Sequence, residues 1–461
     1  MASNQQTQMI GASVKRKEDP RLLMGDSMYT GDVDLKGMVH MAVLRSPHGH
    51  ARIRNIDVAQ ARSHPQVLAV LTGEEVKEQC QSQFLLFAVK EETRTHSRWP
   101  MAVETAKYVG EPVAVVVAAS ATAAADALEL IEVDYEPLPA VVDIEAAARG
   151  DSPLVHEDLG TNLSVETSGT AGDPEGAFRD ASGVVSVRLA EPRLAPSPME
   201  SRAVVASYER GTGNMTMWLS TQTPHLERSF VSQVLGFPEN KLRILSRDVG
   251  GGFGCKIDTY PETVIAAILA ITLAKPVKWV EDRQENFTST IHGRGEVQYV
   301  DAAYDDDGVL LGMRISYYTE LGAYSSGGTH SVVDASIPSG AQGAYRVRNL
   351  EWTTYGVFTN KVPVGPYRGY GQHATAYLTE RVMDLIAARL AMDPAEVRRR
   401  NFIPADAFPY MNPMGREFDN GNYEAALDRA LELAGYEDLR EEQKRLREQG
   451  ILMGIGLATN V

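Results

Sequence analysis

Hydrophobic residues in the first third of the chain form short runs separated by polar or alanine-rich stretches. Residues 38–46 and the valine-rich run 111–120 predict strands, the second of them buried. Residues 121–131 are rich in alanine and follow Ser120, a residue type that caps helix N-termini, so we predict a helix there. Residues 132–143 continue as an extended segment interrupted by prolines. This order of strand, helix and strand is typical of an α/β unit.

The same pattern recurs in the middle of the chain. Residues 214–221 and 241–249 predict strands, and residues 224–236 predict a helix that ends at a C-cap glycine, Gly236. A long apolar helix is expected within residues 258–276, closed by Pro276. Its apolar core, residues 264–274, is short for a membrane span and indicates a buried helix. A glycine-rich stretch lies between the second strand and this helix, near a helix end whose free N–H groups favour anions.

Three helices and one strand are expected toward the C-terminus. Residues 373–392 form one helical pattern, and a second helix is expected to start at Asp393, with Pro394 in its first turn and Glu396 in a capping box. Residues 436–450 predict a highly charged helix with a solvated face. The last stretch, residues 450–461, is apolar and reads as a strand, which leaves an unpaired edge and is expected to need a partner.

A connector rich in Gly, Asp, Ser and Pro covers residues 147–164. We therefore predict a domain boundary near residue 150, with one domain over residues 1–150 and a second over residues 151–461. The mixture of helices and strands on both sides predicts an α/β (α+β) fold class.

Composition narrows the classes of partner. The 461 residues carry a formal net charge of −16, which argues against nucleic acid or an anionic membrane as the main partner. Cys80 and Cys255 are too few for a disulfide framework or a cysteine-ligated iron–sulfur cluster, so any such cluster is expected on another chain. The N-terminus has no apolar core of the signal-peptide type, and a cytoplasmic location is expected.

The glycine-rich stretch, VGGGFGCK at residues 249–256, resembles a phosphate-binding loop only in composition. A Walker loop needs glycine before the lysine and a hydroxyl after it, where this chain has Cys255 and Ile257. A dinucleotide fingerprint started at Gly250 also fails, because its third glycine falls on Cys255. The residues leave two alternatives open. One is a simple bulge or tight turn, and the other is a loop whose backbone approaches a ligand closely.

Three segments, around Gln222, around the glycine loop and around Arg368, occur in an order that resembles the large subunit of the molybdenum hydroxylases. This is the family of xanthine dehydrogenase and aldehyde oxidase. Four further stretches resemble the family in register: residues 21–57, 106–143, 196–208 and 384–403. The resemblance implies an α/β-hammerhead domain over residues 1–150, followed by the first half of a molybdopterin-binding domain over residues 151–461.

The resemblance also implies roles for particular residues, which form the predicted cofactor site. Gln222 is expected to hydrogen-bond a terminal ligand of the molybdenum, although a glutamine after a strand can also cap the next helix. The glycine loop, residues 249–256, is expected to bring its backbone close to the pterin. The arginine loop, residues 359–372 around Arg368, is expected to border the metal pocket. The cofactor-binding residues so implied are Gln222, Gly252, Phe253, Gly254, Tyr367 and Arg368.

No side chain of this chain is expected to ligate the metal, because the family holds molybdenum through the dithiolene of the pterin. His225, His292 and His373 have no spacing that indicates a metal site. The general-base glutamate of the family lies beyond the matched part, so it is expected on a partner chain. The chain is therefore expected to be inactive alone, either as a natural split subunit of the nicotinate dehydrogenase type or as part of a longer chain.

Departures from the family's sequence pattern narrow the range of expected substrates. Gly369 stands where carbon monoxide dehydrogenases carry a copper-bridging cysteine after the matching arginine, so CO oxidation is not expected. Ile257 replaces a purine-recognising glutamate of xanthine dehydrogenases, and their second substrate arginine falls near Ser336. The pocket is thus expected to take an aromatic, N-heterocyclic or aldehyde small molecule.

The resemblance implies a heteromeric oxidoreductase. Its expected cofactor is molybdopterin, as the cytosine dinucleotide form if the source is bacterial, with 2Fe–2S clusters and FAD on partner subunits and a second molybdopterin half-subunit. Two alternatives stay open. One is a reductive family member, such as a dehydroxylase, and the other is a non-catalytic scaffold or cofactor-delivery protein. The presence of Gln222, Phe253 and Arg368 argues against the scaffold.

Overall fold

The computed structural model describes residues 11–84, 92–326, 337 and 340–461, which form four sheets and a set of helices. The strands are β1 Val39–Arg45, β2 Ala51–Asp57, β3 Val67–Thr72, β4 Thr105–Ala106, β5 Pro112–Ala118, β6 Glu132–Pro137, β7 Leu163–Ala171, β8 Gly183–Glu191, β9 Ala203–Glu209, β10 Asn214–Leu219, β11 Leu242–Leu245, β12 Val277–Val280, β13 Glu296–Tyr304, β14 Leu310–Gly322, β15 Leu350–Phe358, β16 Tyr410–Met411 and β17 Glu417–Phe418. The α-helices are α1 Asp19–Leu23, α2 Ala59–Ser63, α3 Gly73–Lys77, α4 Ala121–Leu128, α5 Ile144–Arg149, α6 Pro174–Arg179, α7 Pro224–Leu235, α8 Pro261–Leu273, α9 Arg283–Ser289, α10 Gln372–Leu390, α11 Pro394–Asn401, α12 Tyr423–Ala434 and α13 Tyr436–Glu448.

The largest sheet has seven strands in the order β11-β10-β9-β12-β1-β5-β3. Strand β5 is buried along its whole length, as its run of valines predicts, and it pairs antiparallel with β1 and β3. The sheet combines strands from both sides of residue 150, because β1 pairs parallel with β12. The division into domains at that residue stays a prediction.

Helix α8 packs against strand β9 beside the glycine loop. Residues 264–270 of this helix are all buried, and all are apolar. A helix that is apolar on every side must be enclosed by protein. This enclosed helix and the seven-stranded sheet form the core on which the candidate site rests.

A second sheet has five strands in the order β7-β15-β14-β13-β8. Strands β13 and β8 are antiparallel, with Glu296 opposite Glu191 at one end of the ladder. Helix α10 contacts both of these strands and contributes Leu378, Val382 and Ile386 to the second core. The segment that leads into α10 therefore lies at the edge of this sheet.

Several local predictions are confirmed. The Ser120 hydroxyl accepts from the Ala123 N–H over 3.2 Å at the start of α4. Gly236 ends α7 in the left-handed conformation, with a φ of 63°. Asp393 caps α11 by accepting from the Ala395 N–H. The capping box expected at Glu396 is wrong, because the carboxylate of Glu396 pairs with Arg400 one turn later in the helix.

Two other predictions are wrong. The strand expected over residues 241–249 ends at Leu245, because its neighbour β10 pairs Trp218 with Leu245 and itself ends at Leu219. Helix α8 begins only at Pro261, so the glycine loop does not adjoin its N-terminus.

The C-terminal stretch 451–461 is not a strand either. Its carbonyl groups are bonded by side chains rather than by a ladder, since Arg398 Nη2 donates to the Leu457 oxygen over 2.8 Å and Gln443 Nε2 to the Met453 oxygen. Within the described residues, no helix is long and apolar enough to cross a membrane.

Candidate functional site

The glycine loop has an unusual backbone. Gly251, Phe253 and Gly254 all have positive φ angles, of 101°, 55° and 103° respectively. Glycine adopts this region freely, but a phenylalanine there is uncommon and is held only by its surroundings. Phe253 nevertheless exposes 40% of its surface. The loop therefore presents an aromatic ring outward from a constrained backbone.

Gln222 lies directly against this loop. Its backbone N–H donates to the Lys256 oxygen over 2.8 Å, and its side-chain Oε1 accepts from the Gly254 N–H over 2.9 Å. A Cβ atom at Gly252 would lie 2.4 Å from the same Oε1. Residue 252 must therefore be glycine for the Gln222 side chain to lie where it does. Thr223, rather than Gln222, is the cap residue of α7, so the interpretation of Gln222 as a helix cap is not supported by contacts.

The arginine loop packs on the other side of the glycine loop. The Arg368 N–H donates to the Phe253 oxygen over 2.8 Å, and the Arg368 guanidinium carbon lies 5.4 Å from the centre of the Phe253 ring. A Cβ atom at Gly254 would lie 2.4 Å from the backbone oxygen of Pro366. Two loops far apart in sequence are thus joined by direct backbone contact.

Arg294 also supports the arginine loop, a role that was not predicted from the sequence. Its guanidinium donates to the Tyr367 and Arg368 oxygens over 3.2 and 2.9 Å, and it stacks 4.6 Å from the Tyr367 ring centre. Arg294 itself has a positive φ of 66°. The only signal in the sequence is its position between Gly293 and Gly295, which marks an unusual backbone without indicating its partners.

The two loops enclose a cavity of about 600 Å³. It is lined by Gln222, Phe253, Gly254, Ile257, Asp258, Pro366, Tyr367, Arg368 and Tyr370. Five of the six predicted site residues are therefore brought together on one cavity. The sixth, Gly252, is buried beneath the Gln222 side chain.

The polar groups on this cavity are mainly donors. Because the Gln222 oxygen is already bonded to Gly254, its NH₂ group remains, and no described residue accepts from it. No carboxylate among the described residues pairs with the Arg368 guanidinium, which is exposed. The site therefore offers donors to an acceptor-rich ligand.

The lysine of the glycine loop points away from the cavity. Lys256 is 2% exposed, and its Nζ donates to the backbone oxygen of Glu200 over 2.7 Å and to its carboxylate over 3.1 Å. The same carboxylate accepts from the Gly250 N–H and the Ser220 hydroxyl. Desolvation lowers the pKa of Lys256. This lysine ties the loop to the core and is not available to bind phosphate.

Two carboxyl groups lie at or near the cavity: Asp258 lines it, and Glu227 is buried in the protein. Burial raises the pKa of Asp258 to about 6, and burial raises that of Glu227 to about 8. At neutral pH Glu227 thus favours the neutral acid, whereas Asp258 is mainly ionised. The nearby thiol of Cys255 is buried and donates to the Gly252 oxygen, and desolvation raises its pKa to about 11.

The three histidines do not form a site together. His225 is exposed on α7. His292 contacts the Phe287 oxygen through Nε2, and burial lowers its pKa to about 4. His373 lies instead beside two glutamates in the first turn of α10. Ser336, the position where a substrate arginine is missing, lies outside the described residues.

Two known domain families match this chain. The molybdopterin cofactor-binding domain matches residues 155–402, which is more than half of the chain. The a/b hammerhead domain of aldehyde oxidase and xanthine dehydrogenase matches residues 24–139. Both the fold expected from the resemblance and the molybdopterin-binding class are therefore confirmed.

Individual relatives cover nearly all of this chain. The carbon monoxide dehydrogenase large chain of Afipia carboxidovorans is 36% identical over 98% of this chain and 58% of its own length. The nicotinate dehydrogenase large molybdopterin subunit of Eubacterium barkeri is 29% identical over 94% of this chain and 99% of its own length. The crystal structure of quinoline 2-oxidoreductase from Pseudomonas putida 86 superposes with a TM-score of 0.90 and 37% identity, over 95% of this chain and 56% of that one.

The chain thus spans a little over half the length of the first and third of these proteins. The names of the first two identify them as parts of enzymes with several subunits. All three are oxidoreductases by name. This chain belongs to the xanthine dehydrogenase and aldehyde oxidase family of molybdenum hydroxylases, as a large, molybdopterin-binding subunit.

Proposed function

We propose that this chain holds a molybdenum cofactor in the cavity between the glycine and arginine loops, and that the enzyme hydroxylates an aromatic N-heterocyclic substrate with oxygen from water. The observation that carries the proposal is the convergence of the Gln222 amide, the Phe253 loop and Arg368 on one cavity of about 600 Å³. When bound, the cofactor supplies the two-electron acceptor for the oxidation. The residues of this chain supply binding and orientation.

The residues that line the cavity fit such a cofactor. A metal held by the sulfur atoms of its own pterin needs no ligand from the protein, and neither imidazole nor thiol lines this cavity among the described residues. It needs donors for its acceptor atoms, which the Gln222 NH₂ group and the Arg368 guanidinium provide.

Each residue has a distinct role in this proposal. Gln222 would donate to an acceptor on the cofactor, with its amide oriented by the Gly254 N–H. Gly252 and Gly254 keep the loop free of side chains, so that Gln222 and Pro366 can pack against it. Arg368 presents its guanidinium over the Phe253 ring, and Arg294 holds the loop that carries it. These are binding and positioning roles, and the general-base glutamate is proposed on another part of the enzyme.

The remaining lining favours an aromatic substrate. Ile257, Pro366 and Tyr370 add apolar and aromatic surface to the cavity. Gly369 follows Arg368 and offers no side chain that could hold copper, despite the identity with a carbon monoxide dehydrogenase. The names of two similar proteins, acting on quinoline and on nicotinate, support an N-heterocycle. An aldehyde is the nearest other substrate class.

The exposed face of the site supports a partner that closes it. Phe253 and Tyr370 each expose 40% of their surface, and Met199, next to the loop-anchoring Glu200, exposes 93%. Apolar side chains grouped in this way mark an interaction surface. We propose that a second molybdopterin-binding half covers this face and carries the general base. We propose that further subunits carry the 2Fe–2S and FAD groups and that the pterin is in the cytosine dinucleotide form. The whole enzyme is proposed to be cytoplasmic.

The test is purification of the chain with its associated chains, followed by elemental analysis and a substrate comparison. We expect molybdenum and pterin in the preparation and dye reduction with quinoline or nicotinate, with the product oxygen labelled from ¹⁸O-water. No dye reduction is expected with CO. Absence of molybdenum from a folded, fully assembled preparation would favour the scaffold alternative. CO oxidation, or activity only with a hydroxylated heterocycle as electron acceptor, would contradict the proposed reaction.

A further inference from the structure

Two glutamates face each other directly at the edge of the five-stranded sheet. Glu191 is the last residue of β8 and Glu296 the first residue of β13, and they are register partners in the antiparallel ladder. Like charges directly opposite one another destabilise a sheet. Only 4% of the Glu296 side chain and 18% of the Glu191 side chain are exposed, so water screens this repulsion poorly. A positively charged group or a proton is therefore needed to offset the repulsion between the two carboxylates.

His373 completes the cluster from the first turn of α10. Its Nε2 lies 3.4 Å from a carboxylate oxygen of Glu296 and 3.7 Å from one of Glu191. One ligand atom from each of the three side chains lies within 4.8 Å of the other two. The spacing is wide for direct hydrogen bonds but suits three ligands around one ion.

The cluster is not satisfied by the protein. Glu296 Oε2, Glu191 Oε1 and both ring nitrogens of His373 are buried and make no hydrogen bond of normal geometry with the described residues, and the buried hydroxyl of Tyr317 beside Glu296 makes none either. An unpaired buried polar group costs roughly 1–3 kcal/mol, and more when it is charged. Glu296 is more than nine-tenths buried, with its free oxygen on the side of His373. This oxygen and the imidazole, both without partners of normal geometry among the described residues, indicate that a ligand binds between them.

We propose that Glu191, Glu296 and His373 bind a divalent transition-metal ion of the Zn²⁺ type, separate from the molybdenum cofactor. Carboxylate oxygens and one imidazole nitrogen are ligands that Zn²⁺ accepts, with a fourth position left for water. The positive ion removes the repulsion between the two strands. Both glutamates also line a cavity of about 820 Å³ that opens to solvent, which gives the ion a route of entry.

The ion would brace the candidate active site. His373 follows the arginine loop by only a few residues, and a Cβ atom at Gly369 would lie 3.2 Å from its Nδ1. Coordination of His373 therefore ties the start of α10, and the loop before it, to the ends of β8 and β13. Arg368, Tyr370 and their neighbours would be held in place through this connection.

A second cluster among the described residues does not meet the same requirements. His96 and His156 lie near Asp158, but their rings stack in parallel, with centres 3.7 Å apart and planes 11° apart. A metal ion lies in the plane of each imidazole that binds it, and two parallel planes at this separation cannot share one ion. The competing explanation at Glu191 is a shared proton, because burial and the neighbouring Glu296 raise the pKa of Glu191 to about 7.

The test measures zinc in the purified enzyme, with its associated chains and molybdenum cofactor. The protein is equilibrated with micromolar Zn²⁺, passed through a desalting column and analysed for zinc, molybdenum and iron together. We expect about one zinc ion per chain, and at least about a tenfold loss of zinc affinity in Glu296→Gln and in His373→Gln. His225→Gln removes an exposed histidine and should leave zinc unchanged. Co²⁺ should give visible ligand-field bands in the native protein that both variants lose.

Molybdenum content and circular dichroism show whether each variant remains assembled, independently of the zinc result. If the native enzyme takes up no zinc or cobalt, the site does not bind a metal, and the shared proton is the correct explanation. If both variants retain full zinc, the ion lies elsewhere and the assignment is wrong. Neither result depends on whether molybdenum or turnover is found.

Discussion

The backbone N–H of Gly254 donates to the side-chain oxygen of Gln222 over 2.9 Å. Because a backbone N–H can only donate, this contact determines which end of the amide is the oxygen. The NH₂ group is left on the cavity, where no described residue accepts from it. The glycine loop therefore positions a hydrogen-bond donor, in addition to leaving space for a ligand.

Replacement of Gln222 by alanine should lower turnover while the protein stays folded and loaded with molybdenum. Loss of a hydrogen bond to a metal's ligand sphere costs about 10–100-fold in activity or metal affinity. Gln222→Glu is the sharper variant, because it keeps an acceptor for Gly254 but loses the donor. Gln233→Ala, an exposed position on α7, serves as the control. A Gln222→Ala enzyme with the native rate and metal content would assign Gln222 a purely structural role.

Replacement of Gly254 by valine should prevent cofactor incorporation. The φ of 103° is strained for any branched residue, and its Cβ would lie 2.4 Å from the Pro366 oxygen. The backbone strain alone is on the order of 1–2 kcal/mol. The variant should thus separate the two loops that form the cavity.

Molybdenum and pterin content in folded, assembled Gly254→Val protein provides the measurement. Gly211→Val is the matched control, since nothing lies within 4 Å of a Cβ there and its φ is not positive. Full cofactor occupancy in the Gly254 variant would mean that contact between the loops is not needed for the site.

Replacement of Arg368 by lysine should reduce activity by about 10–100-fold, although the charge is kept. A lysine has neither the planar fork nor the flat face that stacks on Phe253. Because Arg368 bonds to the glycine loop through its backbone, the loops should stay in contact and molybdenum should be retained. Steady-state kinetics with the accepted heterocycle would be compared with those of Arg389→Lys, an exposed arginine on α10. Equal rates in the two variants would show that the Arg368 side chain has no role in the site.

Glu227 should make the folded state less stable as the pH rises. Burial raises the pKa of its carboxyl group to about 8, whereas the same group has a pKa of about 4.3 in the unfolded chain. Between these values the folded state holds a proton that the unfolded state has lost, so the free energy of unfolding falls with increasing pH. Glu227→Gln removes this penalty.

The increase in melting temperature of Glu227→Gln over the native protein should therefore be small at about pH 5 and larger at about pH 8. Calorimetry of both proteins across this range is the measurement, with Glu239→Gln at an exposed position as the control. A gain that is constant with pH would indicate that Glu227 is ionised in the folded protein.

Local structure was largely predictable from the sequence. The buried strand β5, the apolar helix α8 and the caps at Ser120 and Gly236 depend on side chains within one element, and their signals lie within a few residues. The strand predicted for residues 450–461 is wrong for the opposite reason. A strand exists only with a partner, and side chains such as Arg398 bond to this segment instead.

The candidate site was predictable only as a set of residues, and that prediction rested on resemblance to a family. The amino-acid sequence shows that Gln222, the glycine loop and Arg368 are present, and its spacing excludes a nucleotide-binding loop. Three contacts became visible only in the folded chain: Lys256 turns inward to Glu200, Arg294 supports the arginine loop, and His373 lies beside Glu191 and Glu296. The physical reason is that these contacts join segments distant in the chain, and a residue's own neighbours in sequence do not specify which groups the packing of sheets and helices brings to it.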